Sequence, residues 1–317
     1  MVPRQISEGN GMCFQAIDHM VDRVNSFKVD PEFTQQIEDR RNLVADFSLK
    51  DDEILRQLIE LIAYSNNANA QKVTDLVVRE VFRPIFQDYS VEKTAVLLAE
   101  ELRRLHWPEI RSIRFRYKID AMVRCASCLI AIRNSHDSFM HFIRDAGLPV
   151  AIRSEADAVA FWEGFEKVQT KLLQLRFPYI TNFTSLCHLL MMLGFDCAKP
   201  DLVVMRAAVN LGVVPPPQKQ KKNPDKDRAH SEESLWDVVR TIQSYALSRK
   251  TRSASHRSVF PDPWWTIGFH RTGGAWVLRI AFLFNAEADG VLFNPARGVR
   301  VPMPSKRKAE RLAGHQP

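Results

Sequence analysis

The sequence predicts a mainly α-helical fold, and two observations lead to that expectation. Apolar residues recur at the three- and four-residue spacing of helices over most of residues 50–212. The alternation of polar and apolar residues that marks strands is almost absent from the same segment. We therefore expect an all-α fold here, followed by an irregular C-terminal region with room for a few strands.

Six segments predict helices. The clearest is residues 52–63, where Ile54, Leu58 and Ile62 fall on one face together with Leu55 and Ile59. The predicted helices span residues 52–63, 118–132, 155–175, 183–195, 202–212 and 234–248. Residues 274–284 fit either a strand or a buried helix.

Changes in composition divide the chain into five segments. A run of three prolines followed by dense charge predicts a solvated loop after residue 214. The expected segments are an N-terminal part packing on the core (1–48), the core (49–214), a basic loop (215–233), a C-terminal helix with an accessory region (234–300) and a disordered basic tail (301–317).

The charge balance favours a polyanionic partner. Lysine and arginine outnumber aspartate and glutamate by 44 to 37, which gives a formal net charge of +7. The N-terminus lacks the apolar run of a signal peptide, and no apolar stretch is long enough for a membrane helix. We expect a soluble cytoplasmic protein, associated with the bacterial nucleoid through DNA binding and not with a membrane.

The five cysteines favour reduced thiols that pack as small core residues. Cys125 and Cys128 form the one C-x-x-C pair, and no second Cys/His pair stands at zinc-ligand spacing. We therefore expect no metal site and no cofactor.

The most informative segment is residues 175–214. Two predicted helices, 155–175 and 183–195, are joined by only a few residues, so they form an antiparallel pair. Pro178 stops the first helix. The unpaired amides at the start of the second helix face the connection and favour an anion.

This segment resembles the helix-hairpin-helix DNA glycosylases. Phe177, Pro178, Ile180, Thr184 and Ser185 match the family hairpin identically or conservatively. Asp201 stands at the spacing of the family's catalytic aspartate, eighteen residues after Phe183, and Val204 and Arg206 follow as V-x-R. The resemblance implies that the hairpin holds a DNA backbone through Pro178, Tyr179, Ile180, Thr181, Asn182 and Thr184.

The hairpin also departs from the family pattern at three positions. Tyr179 and Thr181 replace two glycines that allow close approach to phosphate and a positive φ. Phe183 stands where bifunctional members carry a nucleophilic lysine. The resemblance therefore implies a monofunctional enzyme that leaves an abasic site without cutting the strand.

Two further segments are similar to the same superfamily. In residues 58–77, Ser65, Asn66 and Asn67 stand where Ser-Gln-Gln is usual, and by analogy this loop fills the gap left by an extruded nucleotide. Residues 110–130 resemble the 3-methyladenine glycosylase branch, although that branch's zinc ligands and pocket glutamate lack convincing counterparts.

Asp201 admits two interpretations. A carboxylate beside the sugar stabilises the oxocarbenium character of glycosidic cleavage and orients the attacking water. An aspartate after Lys199-Pro200 also fits a simple N-cap of the helix 202–212.

Other candidate site residues have equally plain structural alternatives. Several aromatic residues could line a base pocket or could simply pack in the core. They are Tyr64, Trp107, Phe115, Tyr117 and Trp162. A run of basic residues could contact phosphates or could form a solvated loop. They are Arg111, Arg114, Arg116 and Lys118. We interpret His188 as a core histidine.

The resulting hypothesis is a monomeric, monofunctional DNA glycosylase acting on double-stranded DNA that contains a modified base. The base is either an alkylated purine or a bulky modified base of foreign or phage DNA, removed in defence. The alternatives are a non-catalytic helix-hairpin-helix DNA-binding protein and a helical protein–protein adaptor.

Overall fold

A computed structural model describes residues 14–15, 17–18, 43–66, 68–218, 229–253, 291–294 and 299–302. The chain divides into two compact units, Met1–Gly273 and Gly274–Pro317. The predicted basic stretch at 219–228 and the ambiguous segment 274–284 lie outside the described residues.

The described part of the first unit is helical, which confirms the all-α prediction. The α-helices are α1 (Asp51–Tyr64), α2 (Ala70–Val78), α3 (Phe82–Ile85), α4 (Val91–Ala95), α5 (Ala99–Ile110), α6 (Tyr117–His136), α7 (Phe139–Asp145), α8 (Glu155–Gln174), α9 (Phe183–Met192), α10 (Leu202–Asn210) and α11 (Glu232–Ser253). Short 3₁₀ helices span Gln87–Tyr89 and Arg111–Ile113. All six helices predicted from periodicity are present among them. Within the described residues, none is long and apolar enough to cross a membrane.

Helix α1 organises the core because its apolar face is fully enclosed. Ile54, Leu58 and Ile62 are completely buried, and α1 packs on α6. The carboxylates of its first turn bind other helices: Asp51 accepts the Phe139 amide at the start of α7, and Asp52 accepts the Val91 amide at the start of α4, each at 2.9 Å. These bonds satisfy amides that have no partner within their own helices.

Helix α6 lies deep in the structure, between α1, α4 and α7. Cys125 and Cys128 are buried in it as free thiols. Burial raises the pKa of the Cys125 thiol well above its usual value. A raised thiol pKa is typical of an unreactive core cysteine, as the sequence predicted.

An aromatic cluster joins α8, α9 and α11. The Trp162 ring lies 4.4 Å from the Trp236 ring and 6.0 Å from the Phe183 ring, measured between centroids, and Phe165 lies 5.3 Å from Phe183. The Trp162 indole donates to the Gln243 side chain at 2.9 Å. The C-terminal helix therefore packs against the pair of helices that flank residues 177–182.

Described residues near the N-terminus pack on α11. Ile17 is buried, and the Phe14 ring lies edge-on to Tyr245 with centroids 5.5 Å apart. Asp18 accepts a hydrogen bond from the Tyr245 hydroxyl at 2.8 Å and pairs with Arg249. These contacts tie the two ends of the helical unit together.

A second contact near residue 45 covers the turn after α9. Gly194 has a φ of +88°, and a Cβ placed there would lie 2.6 Å from the backbone of Val44 and Ala45. Glycine is therefore required for the conformation and for the close approach. The Phe47 ring packs edge-on against Phe195, with centroids 6.1 Å apart.

The described part of the second unit is a two-stranded antiparallel sheet. Strand β1 (Val291–Asn294) pairs with β2 (Val299–Pro302), in a register that places Val291 opposite Pro302. This unit provides the strands expected in the C-terminal region. Its second strand extends two residues into the segment 301–317 that was predicted as a tail.

Candidate functional site

Residues 177–182 connect α8 to α9, and we call this connection the hairpin. Buried apolar side chains and a helix cap hold it in place. Phe177 and Ile180 are buried. Asn182 caps α9, because its Oδ1 accepts the Ser185 amide at 2.9 Å while its Nδ2 donates to the Tyr179 carbonyl at 2.7 Å. Two apolar anchors and one asparagine thus hold the chain reversal that the sequence predicted.

Tyr179 adopts a left-handed backbone conformation, with a φ of +65°. It stands at a position where the resembled family has glycine, and it keeps the positive φ that glycine would allow. Thr181, at the second glycine position, is not left-handed. The Thr181 carbonyl accepts a hydrogen bond from the Gln169 side chain of α8 at 3.1 Å.

The loop after α1 meets the hairpin through one side chain. Asn66 has a φ of +51°, and its Nδ2 donates to the Tyr117 hydroxyl at 3.1 Å and to the Tyr179 hydroxyl at 3.3 Å. Burial raises the pKa of Tyr179 to about 12. Three segments far apart in sequence therefore share one surface, and we call these contacts the Asn66 bridge. Asn67 lies outside the described residues.

The expectation that Lys118 contacts a DNA phosphate is wrong for this structure. Its side chain is fully buried, and its ammonium donates to the carbonyls of Ser65 at 2.6 Å and Ala63 at 3.1 Å. Burial lowers the pKa of Lys118 to about 8. Lys118 holds the loop that carries Asn66 instead of reaching outward.

Asp201 precedes the first residue of α10 and caps that helix. Its Oδ1 accepts the Val204 amide at 3.2 Å, and its Oδ2 lies 3.6 Å from the Lys199 ammonium. The side chain is 21% exposed, so it is neither enclosed in the core nor fully in solvent. Burial lowers the pKa of Lys199, and the charge of Asp201 opposes that shift. The N-cap interpretation is confirmed, and the carboxylate keeps some access from outside.

Residues 47–172 match the family model of methyladenine glycosylase. This segment is therefore similar to the methyladenine glycosylases. The match supports DNA N-glycosylase activity on a DNA substrate. It includes the loop with Asn66 and the start of α6, and it ends before the hairpin and Asp201. The chain has no match among the curated proteins or among the solved structures.

Around the start of α6, the matched segment carries a group of arginine and aromatic side chains. The Phe115 and Tyr117 rings stack with centroids 5.4 Å apart. The Arg114 guanidinium lies over Phe115 at 5.0 Å, and the Arg116 guanidinium lies over Trp107 at 5.3 Å. Arg114 and Arg116 are exposed, as is Arg111. We call Trp107, Arg114, Phe115, Arg116 and Tyr117 the aromatic ridge.

The other two predicted pocket residues, Trp162 and Tyr64, make their contacts with residues outside the ridge. Trp162 is buried in the aromatic cluster, so it packs the core. Tyr64 is half-buried, and its hydroxyl shares a hydrogen bond with the Thr74 hydroxyl at 2.9 Å. His188, predicted as a core histidine, is only half-buried.

Two features of this surface are not predicted from the sequence. Lys199 pairs with Asp201, and the Lys-Pro-Asp spacing could have indicated this. The Asn66 bridge joins residues 51 and 113 positions apart, and nothing local in the sequence points to it.

Proposed function

We propose that the chain is a monofunctional DNA glycosylase, which extrudes a modified nucleotide and hydrolyses its N-glycosidic bond, with Asp201 as the catalytic carboxylate. The observation that carries the proposal is the Asn66 bridge. It joins a loop inside the segment that matches the methyladenine glycosylase model to the hairpin outside it. Both elements are DNA-contacting by resemblance, and their contact gives DNA one continuous surface.

The placement of Asp201 supports a role in the chemistry. The Val204 amide and the positive end of the α10 dipole hold its charge at the start of that helix. A fixed carboxylate stabilises the positive charge that develops on the sugar as the base leaves, and it orients the attacking water. The nearby Lys199 ammonium restrains the second oxygen.

A reaction that ends at the abasic site fits the position of Phe183. Strand cleavage by a glycosylase needs an amine that attacks the sugar and forms a Schiff base. Phe183 is buried in the aromatic cluster, so this position supplies no amine. The proposed product is therefore an intact strand with an abasic site.

The proposed substrate is double-stranded DNA with a modified base. Extrusion costs a few kcal/mol, which favours bases whose pairing or stacking is already weakened. Alkylated purines fit the family match, and a bulky base of foreign DNA fits the departures from the family hairpin. The second of these would make the protein a defence enzyme.

The test is base release from a panel of duplexes that carry alkylated, oxidised, deaminated or glycosylated bases, scored as alkali-labile sites. We expect the wild-type chain to release at least one of these bases and the Asp201→Asn variant to lose that activity. Asparagine caps a helix as well as aspartate does. The variant therefore keeps the cap and loses only the contact of its charge with Lys199, so its free energy of unfolding should fall by about 1 kcal/mol or less.

The matched control is Asp157→Asn. Asp157 lies in the first turn of α8, and its carboxylate accepts the Arg153 amide at 2.9 Å, so this change also removes one negative charge at a helix N-terminus. It should leave base release intact. Full activity in Asp201→Asn would remove the catalytic assignment, and inactivity of the wild-type chain on every duplex would remove the proposed function.

A non-catalytic DNA-binding protein is the second candidate, and the N-cap contact of Asp201 favours it, because capping alone accounts for that residue. This candidate predicts duplex binding that weakens steeply with salt and no release of any base. A helical adaptor predicts no such binding.

A further inference from the structure

Tyr117 is an unusual residue to find at the surface of the matched segment. Its side chain is 52% exposed, and it is the one aromatic among the large exposed apolar side chains in the described part of the chain. One ring face stacks on Phe115 at an interplanar angle of 23°. About half of the Tyr117 side chain is therefore exposed although the ring stacks on Phe115.

Two arginines of the aromatic ridge lie over aromatic rings. Arg114 lies over the Phe115 ring and Arg116 over the Trp107 ring. A guanidinium held over an aromatic ring has its position restrained by that contact. Exposed arginines that alternate with aromatic faces match the chemistry of unpaired nucleotides, in which bases stack and phosphates pair with cations.

The Asn66 bridge links this stack to the hairpin. The Tyr117 hydroxyl accepts from Asn66 at the same amide that donates to Tyr179. A strand that leaves the hairpin therefore meets the ridge directly. Intact duplex hides the faces of its bases, so duplex would contact only the arginines of the ridge.

We propose that the aromatic ridge binds unpaired nucleotides of DNA, with a base stacked on Tyr117 and neighbouring phosphates on Arg114 and Arg116. The inference rests on the proposed function, because it takes the Asn66 surface as the DNA-binding surface. It adds that the protein binds opened DNA more tightly than paired DNA, whether or not a modified base is present.

The experiment measures binding of the full chain to unmodified fluorescent DNAs by anisotropy. The probes are a fully paired duplex, the same duplex with a central run of unpaired thymines, single-stranded oligothymidine and the matching oligouridine. We expect the probes with unpaired thymines to bind more tightly than the paired duplex. The Tyr117→Leu variant should lose about tenfold in affinity for them and little for the duplex, since stacking on one aromatic ring carries about that much binding.

Tyr117→Phe is the matched control because it keeps the ring and removes only the hydroxyl bonded to Asn66. It should retain the preference for unpaired DNA, and Phe115→Leu should weaken it in the same direction as Tyr117→Leu. Circular dichroism and urea unfolding establish that each variant is folded. If one variant does not fold, the other carries the test.

Several results would overturn the inference. They are equal affinity of the wild-type chain for paired and unpaired DNA, an unchanged preference in both leucine variants, and tighter binding of oligouridine than of oligothymidine. The same protein preparations are assayed for base release. Base release with no preference for unpaired DNA would remove the ridge proposal alone, whereas a ridge-dependent preference without base release would remove only the catalytic proposal.

Discussion

Lys118 is a buried cation whose partners are neutral carbonyl groups. The described contacts of its ammonium are the carbonyls of Ala63 and Ser65. Burial, and to a smaller extent the charge of Arg114, lower its pKa to about 8. The Lys118 ammonium is thus buried where the last turn of α1 leads into the loop with Asn66. The residue thereby fixes the position from which Asn66 reaches both tyrosines.

This arrangement predicts a pH dependence of stability. The pKa of Lys118 is about 8 in the folded chain, against 10.5 for an ordinary lysine. Between these values the unfolded chain binds more protons, so the free energy of unfolding should rise with pH. We expect the wild-type chain to gain stability relative to Lys118→Met as the pH rises through this window.

Urea unfolding of both chains at several pH values checks the sign of this effect. The Lys118→Met chain serves as the reference, because other titrating groups contribute equally to both. A relative stability that falls with rising pH, or stays constant across the window, would contradict the assigned pKa.

At the scale of the element, the hairpin shows how a turn holds a residue other than glycine at a positive φ. A side chain in the left-handed region costs about 1–2 kcal/mol. Tyr179 occupies that region, and its hydroxyl accepts the Asn66 amide while Asn182 binds its carbonyl. These contacts offset the conformational cost, and the tyrosine ring extends the hairpin surface beyond what glycine would provide.

Substitutions at Tyr179 separate the ring from the backbone. Tyr179→Ala removes the ring contacts and keeps the left-handed strain, whereas Tyr179→Gly removes both. We expect the glycine variant to be more stable than the alanine variant by about 1 kcal/mol. Urea unfolding measures the difference. At ordinary loop positions the alanine variant is the more stable one, because glycine makes the unfolded chain more flexible. A more stable alanine variant here would show that the left-handed strain at residue 179 is absent.

Features that depend on neighbouring residues could be predicted from the sequence, and features that depend on residues far apart in the chain could not. The helices α1, α6, α8 and α9 follow from apolar periodicity, which is a local property. Asn182 as a cap and Pro178 as a stop are local too. The burial of Lys118 and the Asn66 bridge depend on residues more than fifty positions away. The local run of charged residues therefore led to the wrong prediction that Lys118 lies at the surface.

At the scale of the whole molecule, α11 completes a core to which the matched segment 47–172 contributes. Trp236 contacts Trp162 and Phe183, and Gln243 satisfies the buried Trp162 indole. The same helix binds Phe14 and Asp18 through Tyr245. Packing of α8 and α9, and with it the hairpin between them, therefore depends on residues far beyond the matched segment.

Truncation of Trp236 tests this dependence. Because the ring is half-buried among three other aromatic side chains, Trp236→Ala should lower the free energy of unfolding by about 2–3 kcal/mol. Leu173→Ala is the control, since Leu173 lies on α8 with 55% of its surface exposed, and it should cost about 0.5 kcal/mol or less. Equal losses in the two variants would mean that α11 does not support the aromatic cluster.

Gly194 brings the segment before α1 close to the residues that lead to Asp201. The backbone at Val44 and Ala45 lies against this glycine. Phe195, which packs on Phe47, stands only six positions before Asp201. The segment that matches the methyladenine glycosylase model is thus shorter than the region that folds together. A recombinant fragment cut to residues 47–172 would keep the matched segment while discarding the contact at 44–45, the hairpin and the carboxylate. Physical contacts, rather than the bounds of the match, should set its boundaries.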